Sequence, residues 1–516
     1  MLIMNRFKNI FVLCILSLFF YLSAQAQIYI PPYDPVYEDL RYLQVGGNLG
    51  SIDLNQSPVL SDQVFKTVRS DLRSELISQT RRFLLNQIRT AYTFGDTGQS
   101  SGLLNRLLEK VFVNSVKEPQ FYLGMRTDIS AITDPGKLYP ELRTFAAVIL
   151  PYGISVVNVM TIDHYATENP DYIGKEWRGL SGYTEQAYFL WQTKFSRFTF
   201  GRSYIINGPG RNSNLMFSGA ARPVDQMRLE FIHRRFSYQT IVAQLDPIAN
   251  ADRYLTSHRL TFYLKRLQLS ITETILYGGL NQRLEFAYLN PFLLFHGEQM
   301  NGPGLNGNTL GSVELTYSGN KWCAYTEILI DDIQFDKAVP GDLEPDEIGI
   351  VVGFDLVDPF GVEGLYVGAE YSALTNRTYK TASPYEFYIH RNVPIGYPLG
   401  SDLDRWDLVL KKYLQNWQAI IRFDYLRRGA GELNVPWDTP WMNNTVEQGY
   451  NEPFPTGIVE KTADIGLEIR WLPSYNRYAF LRLNLQKIKN AAHTADDEQN
   501  MIFTLGLHWD FRFGIK

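Results

Sequence analysis

Met501–Lys516 reads MIFTLGLHWDFRFGIK, and within it Phe503, Leu505, Leu507, Trp509, Phe511 and Phe513 alternate with Thr504, Gly506, His508, Asp510 and Arg512. A two-residue period marks an extended strand, because successive side chains leave a strand on opposite sides. One face of this strand is wholly apolar; the other carries both signs of charge. A soluble sandwich would account for a single strand of this kind. How many there are decides between a protein core and a lipid surrounding.

The alternation recurs along most of the chain. Trp417, Ala419, Ile421, Phe423 and Tyr425 oppose Gln418, Arg422 and Asp424, and Ile465, Leu467, Ile469 and Trp471 oppose Asp464, Glu468 and Arg470. From Phe121 to the end the period stays at two, with about eighteen strand cores, an even number as single-chain bacterial barrels require. The connections sort by parity. Short ones fall at Pro151-Tyr152, Arg234-Arg235, Gly319-Asn320, Gln415-Asn416 and PSYN from Pro473. Long ones span 163–182, 203–224, 278–309, 332–346, 375–404 and 428–460. Tight turns at one rim and long loops at the other are the pattern of a transmembrane barrel. Closure follows, since hydrocarbon cannot hydrogen-bond an open strand edge.

The reading is an all-β transmembrane barrel of about 18 antiparallel strands over 119–516, with Trp322, Trp406, Trp417, Trp471 and Trp509 near strand ends at the membrane interface. Arg126, Asp128, Arg228, Glu230, Arg422, Asp424, Glu468 and Arg470 then point inward, suiting either a channel or a salt-bridged plug. One segment departs: SITETILYG puts Glu273 in phase with Leu269, Ile271 and Ile275, which implies a bulge or a wrong register there.

At the other end, Arg6 and Lys8 precede an apolar run from Ile10 to Leu22 and then Ala24-Gln25-Ala26, the layout of a secretory signal peptide over 1–26. The run is short for a membrane-spanning helix, which needs about 20 apolar residues. With that segment removed, Cys323 is the only cysteine, so no disulfide framework forms within one chain. The remaining 47 basic and 54 acidic residues give a net charge of −7, which argues against a nucleic-acid partner. Residues 27–118 form an N-terminal segment with two helical patterns. One starts at Ser61, with Ser61 and Asp62 as N-cap and Val64, Val68, Leu72, Leu76, Phe83, Leu84 and Ile88 as its apolar stripe. The second carries Leu103, Leu104, Leu107, Leu108, Val111 and Phe112. Both are expected to act as a structural plug or platform.

Chemistry leaves little trace. The seven histidines show no HExxH spacing, and there is no G-x-S-x-G elbow or phosphate-binding loop. Asp402 and Asp404 in GSDLDRWD lack further regularly spaced oxygen ligands, so a solvated acidic turn is expected over a calcium loop. No catalytic residue, metal or cofactor is read.

GRSYIINGPGRNSNLMFSGAARPVDQMRLEF (Gly201–Phe231), YLNPFLLFHGEQ from Tyr288 and YEFYIHRNVPIGYPLGSDLDRWDL ending at Leu408 together resemble the Wzi-like capsule assembly family of outer-membrane proteins. The resemblance implies an eighteen-stranded barrel in the Gram-negative outer membrane, with loops facing outside and helices in the periplasm. It also implies a lectin-like, non-catalytic role: attaching capsular or other extracellular polysaccharide to the cell surface. The partners implied are that polysaccharide, outer-membrane lipid, and other components of capsule export or barrel assembly.

Saccharide recognition needs flat aromatic faces beside planar polar groups, and the long loops supply them. The candidates are Tyr172, Trp177 and Arg178; Tyr385, Tyr388, His390, Arg391 and Tyr397; and Trp437, Asp438 and Trp441. The competing reading has these rings packing the loops together over the barrel mouth. Rival functions are a diffusion porin or solute transporter, which predicts an open lumen, and an outer-membrane hydrolase, for which no nucleophile motif is present.

Overall fold

The computed structural model describes residues 28–515 apart from 51, 74–76, 92–118, 135, 165–167, 169–173, 212, 300–306, 335–336 and 436. The signal peptide, Leu76, the helical pattern at Leu103–Phe112 and Tyr172 lie outside the described residues.

Eighteen strands form a closed wall. The first six are β1 (Gln120–Ile132), β2 (Lys137–Leu150), β3 (Ile154–Asp163), β4 (Leu180–Gln192), β5 (Ser196–Ser203) and β6 (Val224–Ile232). There follow β7 (Phe236–Gln244), β8 (Asp252–Leu264), β9 (Leu267–Gly279), β10 (Asn308–Ser318), β11 (Trp322–Asp332) and β12 (Glu347–Val357). The last are β13 (Leu365–Leu374), β14 (Leu403–Leu414), β15 (Trp417–Arg428), β16 (Glu460–Ser474), β17 (Arg477–Lys489) and β18 (Glu498–Ile515). Each pairs antiparallel with its sequence neighbours, and β18 closes on β1 in register from Phe121–Ile515 to Ile132–Thr504. Closure leaves no unpaired edge among the wall strands, the condition for a sheet in hydrocarbon.

The alternation read in β18 sets its orientation. Phe503, Leu505, Leu507, Trp509 and Phe511 face outward and are exposed, while His508 is buried inside, 2.6 Å from an Asp128 carboxylate oxygen. Trp417 lies opposite Trp471 near the short-turn rim. Toward the other rim, the Tyr371 and Trp406 rings are 4.7 Å apart and Tyr425 lies opposite Trp406. The outer wall thus carries aromatic residues at both ends of its apolar band.

Glu273 needs no bulge. β9 pairs with β8 and β10 without a register shift, and Glu273 does face outward. Its carboxylate accepts hydrogen bonds from the Phe295 and His296 amides, each at 3.0 Å, because the β9–β10 loop folds back over the outside of the barrel.

The N-terminal segment enters the lumen. Helices α1 (Val36–Val45), α2 (Ser61–Asp71) and α3 (Gln79–Ala91) pack on one another at the short-turn rim through Val36, Leu40, Leu43, Val64, Val68, Leu84 and Ile88. The single stripe read from Ser61 is thus two helices, α2 and α3. Ser61 is not the N-cap: Leu60 holds that position and no side chain caps α2, while Asp62 pairs with Lys66 at 3.0 Å. α1 docks by charge. Glu38 lies 2.9 Å from the Lys411 amine and 2.7 Å from the Arg422 guanidinium. Asp39 accepts from Lys411 (2.9 Å), Tyr413 (2.7 Å) and Tyr475 (2.6 Å), and Arg41 pairs with Asp355 at 2.6 Å. Farther along, Gln56–Ser57 adds a two-residue strand to Ile206–Asn207. The inward charges are therefore paired along the wall, where Arg126 bonds Asp128, Arg197 bonds Glu230, and Arg470 and Arg482 share Glu468, while Lys411 and Arg422 hold α1 as the plug.

Candidate functional site

The long loops fill the opposite rim. In the β5–β6 loop, the amides of Leu215 and Met216 donate to the two oxygens of Glu327, an inward residue of β11, at 2.9 and 3.1 Å. That clamp draws Leu215, Met216 and Phe217 into the barrel, where each is buried. Arg211 of the same loop bonds Asp355 at 3.2 Å and Asp407 at 2.7 Å, and it reaches them across Gly368: a Cβ there would collide with the guanidinium. Between these loops and α1 remains a cavity of about 620 Å³, lined in part by Arg41, Arg211, Lys411, Arg422, Arg470 and Arg482.

The β13–β14 loop closes over this layer, and much of its aromatic content is spent on the closure. Tyr379 and Tyr388 stack 5.5 Å apart. The Tyr379 hydroxyl donates to the Leu215 carbonyl at 2.6 Å and the Tyr388 hydroxyl to the Met216 carbonyl at 3.0 Å. Tyr397 is buried against Ser372, its hydroxyl 2.8 Å away. His390 is buried with its Nδ1 2.9 Å from Asp246, which also accepts from the Arg391 amide at 2.9 Å. Burial would push the Asp246 carboxyl up, but the His390 and Arg391 contacts outweigh it and hold the group below the usual carboxylate range. Burial drives His390 down, and Asp246 offsets only part of that fall. The carbonyl of half-buried Tyr385 accepts from Arg253 at 2.7 Å. Tyr388, His390 and Tyr397 therefore pack the loop and offer no face to a polymer. A polar buried partner for each hydroxyl is what fixes aromatic rings in such a core.

Asp402 is not a solvated turn residue. It is fully buried and accepts from the Gly431 and Thr456 amides, each at 2.9 Å, joining the β13–β14 and β15–β16 loops. Asp404, also buried, accepts from Nε and Nη2 of Arg427. Their oxygens are occupied by protein donors, and among the described residues no cluster of acidic, histidine or cysteine side chains is arranged to hold a metal ion.

Two places keep aromatic surface at the top. Glu176–Trp177 pairs with Leu180–Ser181 to form a hairpin at the end of the β3–β4 loop. Trp177 is 67% exposed there, with the exposed Arg178 guanidinium 5.1 Å from its ring centroid. The second place is built around Arg377, which sequence reading did not single out. Its guanidinium lies 5.0 Å from the Trp437 ring and 4.4 Å from the Trp441 ring. It donates to Asp438 Oδ1 and Glu452 Oε1, each at 2.9 Å. Arg377 and Trp441 are buried, Trp437 is half-buried and Asp438 is exposed. A guanidinium within reach of both indoles, themselves edge-to-face at 6.1 Å, fixes the rings and holds the acidic groups beside them. Of the candidates, Trp177, Arg178 and Asp438 thus stand exposed at the surface, and Trp437, Tyr385 and Arg391 are half-buried.

The fold is similar to that of Wzi of Escherichia coli, an outer-membrane protein involved in group 1 capsule assembly and described as a carbohydrate-binding β-barrel. The likeness has a TM-score of 0.62 at 13% identity and covers 94% of this chain and all of that one. Two barrels of Pseudomonas aeruginosa, OprD and OpdK, superpose with TM-scores of 0.43 and 0.44 at 8% identity each, over 78% and 77% of this chain and 96% and 100% of theirs. No curated protein matches the chain in sequence. A family model, capsule assembly protein Wzi, matches residues 158–501, well over half of the chain. The protein is an outer-membrane β-barrel that belongs to the Wzi capsule assembly family.

Proposed function

We propose that this barrel attaches an extracellular polysaccharide, capsular or otherwise, to the cell surface through its long-loop rim, which faces outside. One observation carries the reading: with α1 packed into the lumen from one rim and the β5–β6 and β13–β14 loops from the other, aromatic and charged surface among the described residues is left at Trp177–Arg178 and Trp437–Asp438, where it can meet a polymer. The carbohydrate binding ascribed to the E. coli relative points the same way. Binding is multivalent. Each indole face contributes a weak contact to sugar C–H groups, and repetition along a polymer and across many barrels sums to retention. The site holds and does not transform its ligand.

The test is deletion of the gene, followed by measurement of cell-bound and released polysaccharide. Release into the medium with total synthesis unchanged is the expected result; unchanged retention overturns the reading. Complementation with W177A, W437A and the double variant grades it further, with partial release for each single change and near-complete release for both. A large steady current through the purified barrel in a planar bilayer would instead favour a porin.

A further inference from the structure

Much of the β9–β10 loop leaves the rim for the outside of the wall. From Leu280 to Gln299 it lies along the outside of the wall, where its inner face covers β7, β8 and β9. Tyr288 and Phe295 are fully buried against Ile275 and Tyr277. The Phe295 ring lies 4.5 Å from His258, Phe292 stacks on Tyr238 at 6.2 Å, and the Tyr238 hydroxyl donates to the Pro291 carbonyl. His258 and Glu273 are the middle residues of β8 and β9. The loop therefore reaches from the rim to halfway down the barrel, into the zone where Ile271 and Phe262 face outward.

Its other face exposes large apolar side chains, interspersed with exposed Asn281, Arg283, Asn290 and His296. Leu280 is 73% exposed, Phe286 89%, Phe292 82% and Leu294 72%. Exposed apolar side chains at this density mark an interaction surface. Irregular backbone is ordinarily excluded from hydrocarbon because its amides go unpaired. Here nine amides between Gln282 and Glu298 are bonded within the loop or to the wall. Those of Leu289, Asn290, Leu293 and Glu298 close turns on nearby carbonyls, that of Glu285 bonds Tyr277, and those of Phe295 and His296 bond Glu273. The arrangement also removes a problem from the wall. Glu273 and His258 are polar groups on the lipid face, which hydrocarbon disfavours, and the loop covers both.

We propose that residues 280–299 form a lipid-submerged flap, whose outer face of Leu280, Phe286, Phe292 and Leu294 packs against the acyl chains of the membrane leaflet at the long-loop rim. The occupant is lipid because the patch is continuous with the exposed apolar belt of the same strands and lies at its depth. The flap makes the wall two layers thick over β7–β9 and ties the rim to a set depth in the bilayer. The inference stands whether or not the rim binds polysaccharide.

The test places an environment-sensitive fluorophore on F286C, and separately on L294C, in the full-length barrel reconstituted into phosphatidylcholine vesicles with brominated acyl chains; Cys323 is buried and stays silent. The expected result at either position is blue-shifted emission, lost on including brominated lipid and insensitive to iodide in the buffer. Quenching by iodide without an effect of brominated lipid places the loop in water and overturns the proposal. Insensitivity to both, together with F286C disulfide cross-linking of two barrels, assigns the face to a second copy and also overturns it.

Discussion

At the scale of single residues, the side chains that matter at the rim are those with several jobs. Arg377 has two indoles and two carboxylates as neighbours and is itself buried, so its loss leaves Glu452 with Asn376 as its remaining donor and takes the cation from both rings. Asp438 is largely exposed and its pairing is screened, so the cost rests mainly on the cation–π contacts with the two rings and on Glu452, about 2 kcal/mol in all. R377A is therefore expected to lower hydrogen-exchange protection in 429–459 by about 30-fold, with R377K recovering little because an ammonium cannot stack as a plane. Protection unchanged in R377A would show the loop to be held elsewhere. The His390–Asp246 contact gives a pH dependence of defined sign. Both groups titrate below their ordinary values in the folded protein. The stability linked to His390 is complete above its unfolded value of about 6.5 and falls as the pH drops below it; that linked to Asp246 follows below about 3.9. Protection factors at Asp246 and Arg391 should thus decline between about pH 7 and pH 5 in the native protein and stay level in H390Q over the same range.

Among the elements, the strands were legible, and so was an N-terminal plug or platform, but the helix that enters the lumen, α1, was not. Alternation of large apolar with polar residues survives in most wall strands because lipid and lumen impose opposite demands on the two faces, as in Phe503–Phe511 of β18. Glu273 broke the pattern because its surroundings are made by another segment, the loop carrying Phe295, and no local period can announce that. The same holds for Tyr388, Tyr397 and Trp441: an aromatic residue in a loop reads alike whether it faces a polymer or a carbonyl of Met216, and only the tertiary partner decides. Helix α1 escaped notice because VYEDLRYLQV is ten residues long, follows Pro31, Pro32 and Pro35, and gains its stability from the wall. Asp39 is the group that docks it. D39A leaves buried Lys411 with the half-exposed Glu38 as its carboxylate and takes the Asp39 acceptor from the hydroxyls of Tyr413 and Tyr475, costing about 3 kcal/mol. Amides of 36–45 should exchange faster by about 100-fold while the wall strands keep their protection; loss of both together would mean that α1 and the barrel unfold as one unit.

For the whole molecule, the two rims differ in kind, and that difference predicts both permeability and topology. Helices close one rim and folded loops the other, so the intact barrel should show no large steady conductance in a planar bilayer. Deleting 28–91 alone should leave the current small, because Glu327 still clamps Leu215 and Met216 from the far side. The polysaccharide reading requires more: the loop rim must face outward. A single thiol reports this cleanly, since Cys323 is buried in β11 and contributes no background. Asp438 sits at the loop rim with its side chain 77% exposed, whereas Asn476 lies in the tight β16–β17 turn. On intact cells a membrane-impermeant maleimide should label D438C and spare N476C, and permeabilising the outer membrane should make N476C reactive. The reverse pattern would put the helices outside, leave the Trp177 and Trp437 surface facing the periplasm, and remove the polymer from its reach.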